Sequence, residues 1–146
     1  MKTILTIIVL GIAAVLAGCG SNANGNINGN WTAALVESSS GAAVFNFTTT
    51  LTEASNGGLS VTNLTFTTNS PCFASGTKAT GGFTLSGNQN GVTSGGFEMN
   101  IQSTGATSNV LSLQGTVSNN TITGTWTLAG TTGGCTGSGS FTMNKS

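Results

Sequence analysis

Leu111-Ser112-Leu113-Gln114-Gly115-Thr116-Val117-Ser118-Asn119-Asn120-Thr121-Ile122-Thr123-Gly124-Thr125-Trp126-Thr127-Leu128 holds two alternating runs joined by two turn formers. Leu111, Leu113 and Val117 share one phase with Ser112, Gln114, Thr116 and Ser118 on the other. Past Asn119-Asn120, Thr121, Thr123, Thr125 and Thr127 alternate with Ile122, Gly124, Trp126 and Leu128. Successive side chains of a strand point to opposite faces, so a period of two sends one set to a core and the other to water. Asparagine tolerates left-handed backbone, and Asn119-Asn120 is read as supplying both residues of positive φ in a tight hairpin turn. Threonine on the outer face favours extended backbone and gives small cross-strand stabilisation without charge.

The same period runs outward from this hairpin, and a helical period never replaces it. Upstream, strands are expected over Trp31 to Val36, Ala42 to Thr52, Leu59 to Thr67, Lys78 to Ser86 and Val92 to Ser103; downstream, over Ser138 to Asn144. Their inward positions are Trp31, Ala33, Leu35; Phe45, Phe47, Leu51; Phe83, Leu85; Phe97, Met99, Ile101; and Phe141, Met143. Turn formers separate them, among them Ser55-Asn56-Gly57-Gly58 and Gly87-Asn88-Gln89-Asn90-Gly91. In the third strand the apolar positions change phase, from Leu59 and Val61 to Leu64 and Phe66. A slip of one residue within a strand marks a β-bulge, placed near Thr62-Asn63. Short links between consecutive strands predict an all-β fold, an eight-stranded antiparallel up-and-down barrel, with a two-sheet β-sandwich as the alternative. Closure removes two edges that a nearly uncharged chain could hardly defend.

Gly29-Asn30-Trp31, at the first strand, resembles the Gly-x-Trp that opens lipocalins and other calycin barrels, the avidin group included. The resemblance implies a barrel with the tryptophan plugging one end. Lipocalins also carry an acidic and aromatic loop motif and a late arginine on that tryptophan. Residues 31–146 contain no Asp, Tyr or Arg, so lipocalin ligand chemistry does not carry over.

The N-terminus decides the expected address. Lys2 precedes an apolar run from Ile4 to Leu16 interrupted only by Thr6 and Gly11, and small residues follow, the layout of a secretory signal. A run of about 13 residues is short of the ~20 needed to span a bilayer. Leu16-Ala17-Gly18-Cys19 resembles the lipobox of bacterial lipoproteins. The resemblance implies cleavage between Gly18 and Cys19, a diacylglycerol on the Cys19 thiol and acylation of the new amino group. Two or three chains, at ~0.8 kcal/mol per buried methylene, make an anchor that hardly leaves. Lipoprotein sorting retains an aspartate after the cysteine at the inner membrane. Gly20 stands there, so outer membrane or cell surface is the expected location. The expected organisation is a signal peptide over 1–18, lipidated Cys19 and a flexible tether through Asn30, and a barrel domain over 31–146. As a random coil, the tether would hold the domain roughly 20 Å from the bilayer.

With Cys19 lipidated, Cys72 and Cys135 remain in an oxidising compartment and are expected to pair. The loop of about 64 residues makes that bond worth roughly 4 kcal/mol in the chain-entropy model. The alternative is two buried thiols. Neither cysteine has another cysteine or a histidine nearby in sequence, which argues against redox or metal chemistry. In a meander the odd-numbered links share one end, so the links after strands three and seven can be bridged. They start from opposite sides of the wall, whereas bridged Cα atoms lie within about 7 Å. One or both loops must therefore fold inward across that mouth, and the tether enters at the other end. The shut mouth is then expected to face away from the membrane.

Beyond Cys19 the only charges are Glu37, Glu53, Glu98, Lys78 and Lys145, and there is no histidine anywhere. No basic stripe exists to engage nucleic acid. General acid-base chemistry wants a histidine or a carboxylate pair of separated pKa. The glutamates fall near turns, strand ends or the outward phase and read as solvated surface charges. Neither lysine sits in a Ser-Lys motif. No enzyme activity, cofactor or metal is expected. The expected partner is the membrane, through the lipid, and the domain is expected to be monomeric. Two functions survive: an envelope or surface protein of structural or interaction type, and a barrel binding a small apolar ligand in space left by inward glycines, read as Gly82, Gly115 and Gly124.

Overall fold

The computed structural model describes residues 27–54, 57–67, 71–73, 76–89, 92–105, 108–131 and 134–146. The signal segment, Cys19 and the tether up to residue 26 lie outside the described residues. The strands are β1 (Gly29–Glu37), β2 (Ala43–Glu53), β3 (Gly58–Phe66), β4 (Thr77–Gln89), β5 (Val92–Ser103), β6 (Val110–Ser118), β7 (Thr121–Ala129) and β8 (Gly137–Lys145). One 3₁₀ turn, Pro71–Phe73, sits between β3 and β4. Each strand pairs antiparallel with its neighbour in sequence and β1 closes on β8, giving an up-and-down barrel and setting the sandwich aside.

The hairpin that suggested the fold has the expected register. Leu111 faces Leu128, Val117 faces Ile122 and Ser118 faces Thr121. Its turn differs from expectation in one respect. Only Asn119 has a positive φ, 55°, the requirement of a two-residue turn that is left-handed only at its first central position. The bulge falls where the phase change placed it, near Thr62-Asn63. Thr48 faces Thr65 and Thr50 faces Thr62, so Asn63 and Leu64 together oppose Thr49. Asn63 takes the left-handed position at φ 51°, which a short polar side chain tolerates. Inward-facing Thr49, 2% exposed, donates from Oγ1 to the Thr62 carbonyl at 2.9 Å, so the bulge buries no unpaired hydroxyl there.

β4 runs further than the turn formers suggested. Gly87, Asn88 and Gln89 pair with Ser94, Thr93 and Val92, because a long hairpin ladder satisfies backbone that a loop would leave to water. The Leu85 side chain lies outside the described residues. Gly82 is outward, not inward: Phe83 is 4% exposed on the core phase, and its neighbour takes the opposite face.

Eight strands enclose an interior just wide enough for side chains to fill. Trp31, Phe47, Leu51, Met99, Ile101, Leu113, Ile122 and Met143 fill it, each at most 1% exposed. Of the glycines read as inward, Gly115 and Gly124 are so, and directly opposed. They leave no chamber at that point. A Cβ on Gly115 would lie 3.0 Å from Phe141 Cζ and one on Gly124 would collide with the Gln114 carbonyl, so backbone and an aromatic ring occupy the space.

Candidate functional site

Three places gather the chemistry-bearing residues: the mouth reached by the odd-numbered links, the opposite end where Ile27 and the C-terminal Ser146 lie, and the outer wall of β4 to β7.

Strand parity brings the β3–β4 and β7–β8 links to one mouth, and there Cys72 and Cys135 form a disulfide with Cα atoms 5.7 Å apart. The 3₁₀ turn carrying Cys72 folds inward, as the separation of the two links required. Phe73 stacks on Phe66 at 5.0 Å between centroids and meets Phe45 edge-on at 6.2 Å. Phe45 in turn packs edge-on to Trp126 at 5.9 Å, the arrangement favoured by ring quadrupoles. The Trp126 indole N–H donates to the Val36 carbonyl at 3.0 Å. Asn109, 1% exposed, donates from Nδ2 to the Cys72 carbonyl at 2.8 Å and so ties the β5–β6 link to the same turn. Beside this clasp lies an open recess of about 240 Å³ lined by Val44, Phe45, Pro71, Trp126, Leu128 and Glu37. Glu37 is half-buried, and its Oε2 accepts from the Ser40 hydroxyl at 2.9 Å.

At the opposite end the folded domain starts earlier than expected. Ile27 is fully buried and its carbonyl accepts the Trp31 indole N–H at 2.8 Å. Asn28 Oδ1 accepts the Glu53 amide at 2.6 Å, and Gly29 and Asn30 already belong to β1. Ile27 to Asn30, taken from sequence as tether, therefore close this end of the barrel. The buried isoleucine and the satisfied indole supply the reason. The C-terminus lies alongside, where the Ser146 amide donates to the Asn30 carbonyl at 2.9 Å.

Glu53 departs from the surface charge expected of it. It is half-buried on the inward phase, its Oε2 is buried with no hydrogen-bond partner, and desolvation raises its pKa from the ordinary glutamate value. Glu98 and Lys78 are exposed, as their outward phase requires, while Lys145 follows the inward phase at the end of β8 and is half-buried. Among the described residues no three of His, Cys, Asp or Glu gather into a group able to hold a metal ion.

On the outer wall Gly82 pairs with Glu98, Glu98 with Gln114 and Gln114 with Thr125, one row across β4, β5, β6 and β7. A hollow of about 380 Å³ opens at Gly57, Gly82, Gly96, Glu98 and Gln114, and a second of about 240 Å³ at Ser112, Gln114, Thr125 and Thr127. Sequence reading missed Asn109 and this row. A single Asn in a link has no periodic signal, and a row across four strands exists only once the register is set.

No family model, curated protein or solved structure matches the chain. The closed eight-stranded antiparallel barrel is consistent with the calycin resemblance carried by Gly29-Asn30-Trp31.

Proposed function

We propose that this chain is a lipid-anchored protein of the bacterial envelope or cell surface, non-catalytic and of structural or interaction type. The observation that carries the reading is where the described side chains go. The interior positions are occupied and even the inward glycines are covered, so the surfaces remain as the working part. The anchor rests on Leu16-Ala17-Gly18-Cys19, with Gly20 favouring an outer address. The described chain starts at the end opposite the disulfide, so a tether there would turn the clasped mouth toward the medium or a partner. The test is membrane fractionation and intact mass of the exported protein. Diacylglycerol mass on Cys19, and release or precursor accumulation in Cys19→Ala, are expected. Unchanged fractionation of Cys19→Ala would overturn the anchor.

A second reading, a binder of small apolar molecules, is favoured by one feature: the recess beside the clasp, with Val44, Phe45, Trp126 and Leu128 in its walls. At about 240 Å³ it is below the ~300–1,000 Å³ of ordinary ligand sites. Native mass spectrometry of protein from its own host separates the readings. A retained small molecule supports the binder, and its absence supports the structural or interaction protein.

A further inference from the structure

The two outer-wall hollows share Gln114, which lines both. Their common row, Gly82, Glu98, Gln114 and Thr125, crosses three strand spacings, about 14 Å. The hollow at Gly96 exists because a side chain is missing from an outward strand position, and a Cβ there would meet nothing within 4 Å. Glu98 leans over Gly82, where a Cβ would sit 2.9 Å from its Oε1, so the second glycine makes room for the carboxylate. The result is one carboxylate, one amide and two exposed hydroxyls, from Thr125 and Thr127, along a shallow trough, beside the half-buried Ser112 hydroxyl, which donates to Asn100 Oδ1 at 2.7 Å.

Chemistry narrows the occupant. A lone exposed carboxylate gains little from a single cation in water, and a hard metal ion wants six to eight oxygens that this row does not supply. Phe83 and Phe97 are each 4% exposed, which leaves no open ring face to stack on. What the trough offers is a short series of neutral donors and acceptors around one strong acceptor. A chain of vicinal hydroxyls uses all of them at once. We propose that the outer wall of β4 to β7 binds a neutral oligosaccharide, with Glu98 and Gln114 as its hydrogen-bonding centre and Gly96 as the floor that admits it. The inference rests on the reading of this domain as an interaction module, and not on its anchoring.

The test is an amide chemical-shift titration of the full mature protein in detergent with maltotriose, cellotriose and chitotriose, to concentrations on the order of tens of millimolar. Shifts are expected at Gly82, Gly96, Glu98 and Gln114, unaltered by added salt because no ion pair forms. Gly96→Thr fills the hollow at a position with open space, where threonine suits a strand better than glycine. It is expected to keep or raise Tm and to abolish the shifts. Glu98→Gln is expected to weaken binding about tenfold, because the amide oxygen still accepts but without the charge that strengthens the bond. No shift with any of the three sugars, shifts that survive Gly96→Thr, shifts centred on Glu37, Phe45 and Trp126, or a response to a basic peptide instead of the sugars would each overturn the proposal. None of these outcomes touches the fractionation of Cys19→Ala, so failure of the sugar site is distinguishable from failure of the anchored interaction protein.

Discussion

Gly115 and Gly124 face each other across β6 and β7, with Phe141 laid over them and its ring 6.2 Å from that of Phe97. The residue missing on one strand is replaced by a ring from another, so packing rather than a cavity follows from the glycines. Gly124→Ala drives a methyl into the Gln114 carbonyl and is expected to cost about 3 kcal/mol, overpacking against backbone that cannot rotate away; denaturant unfolding measures it. Glu53 makes the opposite kind of statement. Its carboxyl has a raised pKa in the folded state, so the fold binds a proton there more tightly than the unfolded chain does. The resulting penalty is absent below the unfolded pKa and grows as pH rises through the folded one. Glu53→Gln is therefore expected to melt higher than the parent at pH 7, with the difference vanishing as both are taken below the ordinary carboxylate range of about 4. A Tm difference independent of pH would show that desolvation of this carboxyl is not the cause.

At the scale of elements, the 3₁₀ turn Pro71–Phe73 is held by attachments that come from different parts of the chain: the disulfide to Cys135, the Asn109 amide, the Phe66–Phe73 stack and the edge contact of Phe73 with Phe45. Removing the disulfide by Cys72→Ala with Cys135→Ala is expected to cost about 4 kcal/mol in the chain-entropy model, read by thermal or denaturant unfolding. Asn109→Ala leaves the Cys72 carbonyl without that donor and is expected to cost about 2 kcal/mol, with the disulfide intact by mass. The cysteine pair was legible from sequence, since setting Cys19 aside on its resemblance to a lipobox cysteine leaves two, and strand parity puts both links at one mouth. Asn109 was not, because its value depends on which carbonyl the folded turn presents to it.

Across the whole molecule the wall is uneven. β4 and β5 pair over twelve positions, while β3 and β4 pair only at Gly58–Gly82 and Leu59–Gly81, with Phe83 N–H donating to Gly57 beyond them. Beyond Leu59 the ladder lapses, leaving Val61, Leu64 and Phe66 half-buried and Phe73 against Phe66. Local opening follows the fewest backbone bonds, so amide exchange is expected to be fastest among the strands at the β3 positions Val61 to Phe66 and slowest across β6 and β7. Uniform protection around the barrel would contradict this.

The alternation of Leu111 to Leu128, and its echo in every other strand, determined the all-β class, the strand count and most of the core, because burial on a pleated surface imposes a period of two on the chain itself. The phase change at Leu64 likewise announced the bulge before its register was known. Which side an isolated glycine faces, that Ile27 belongs inside, that Glu53 loses water and that Glu98, Gln114 and Thr125 stand in one row were decided only by the closed barrel. Those properties belong to neighbours on other strands, and a periodic pattern carries no information about who the neighbours are until closure fixes the register.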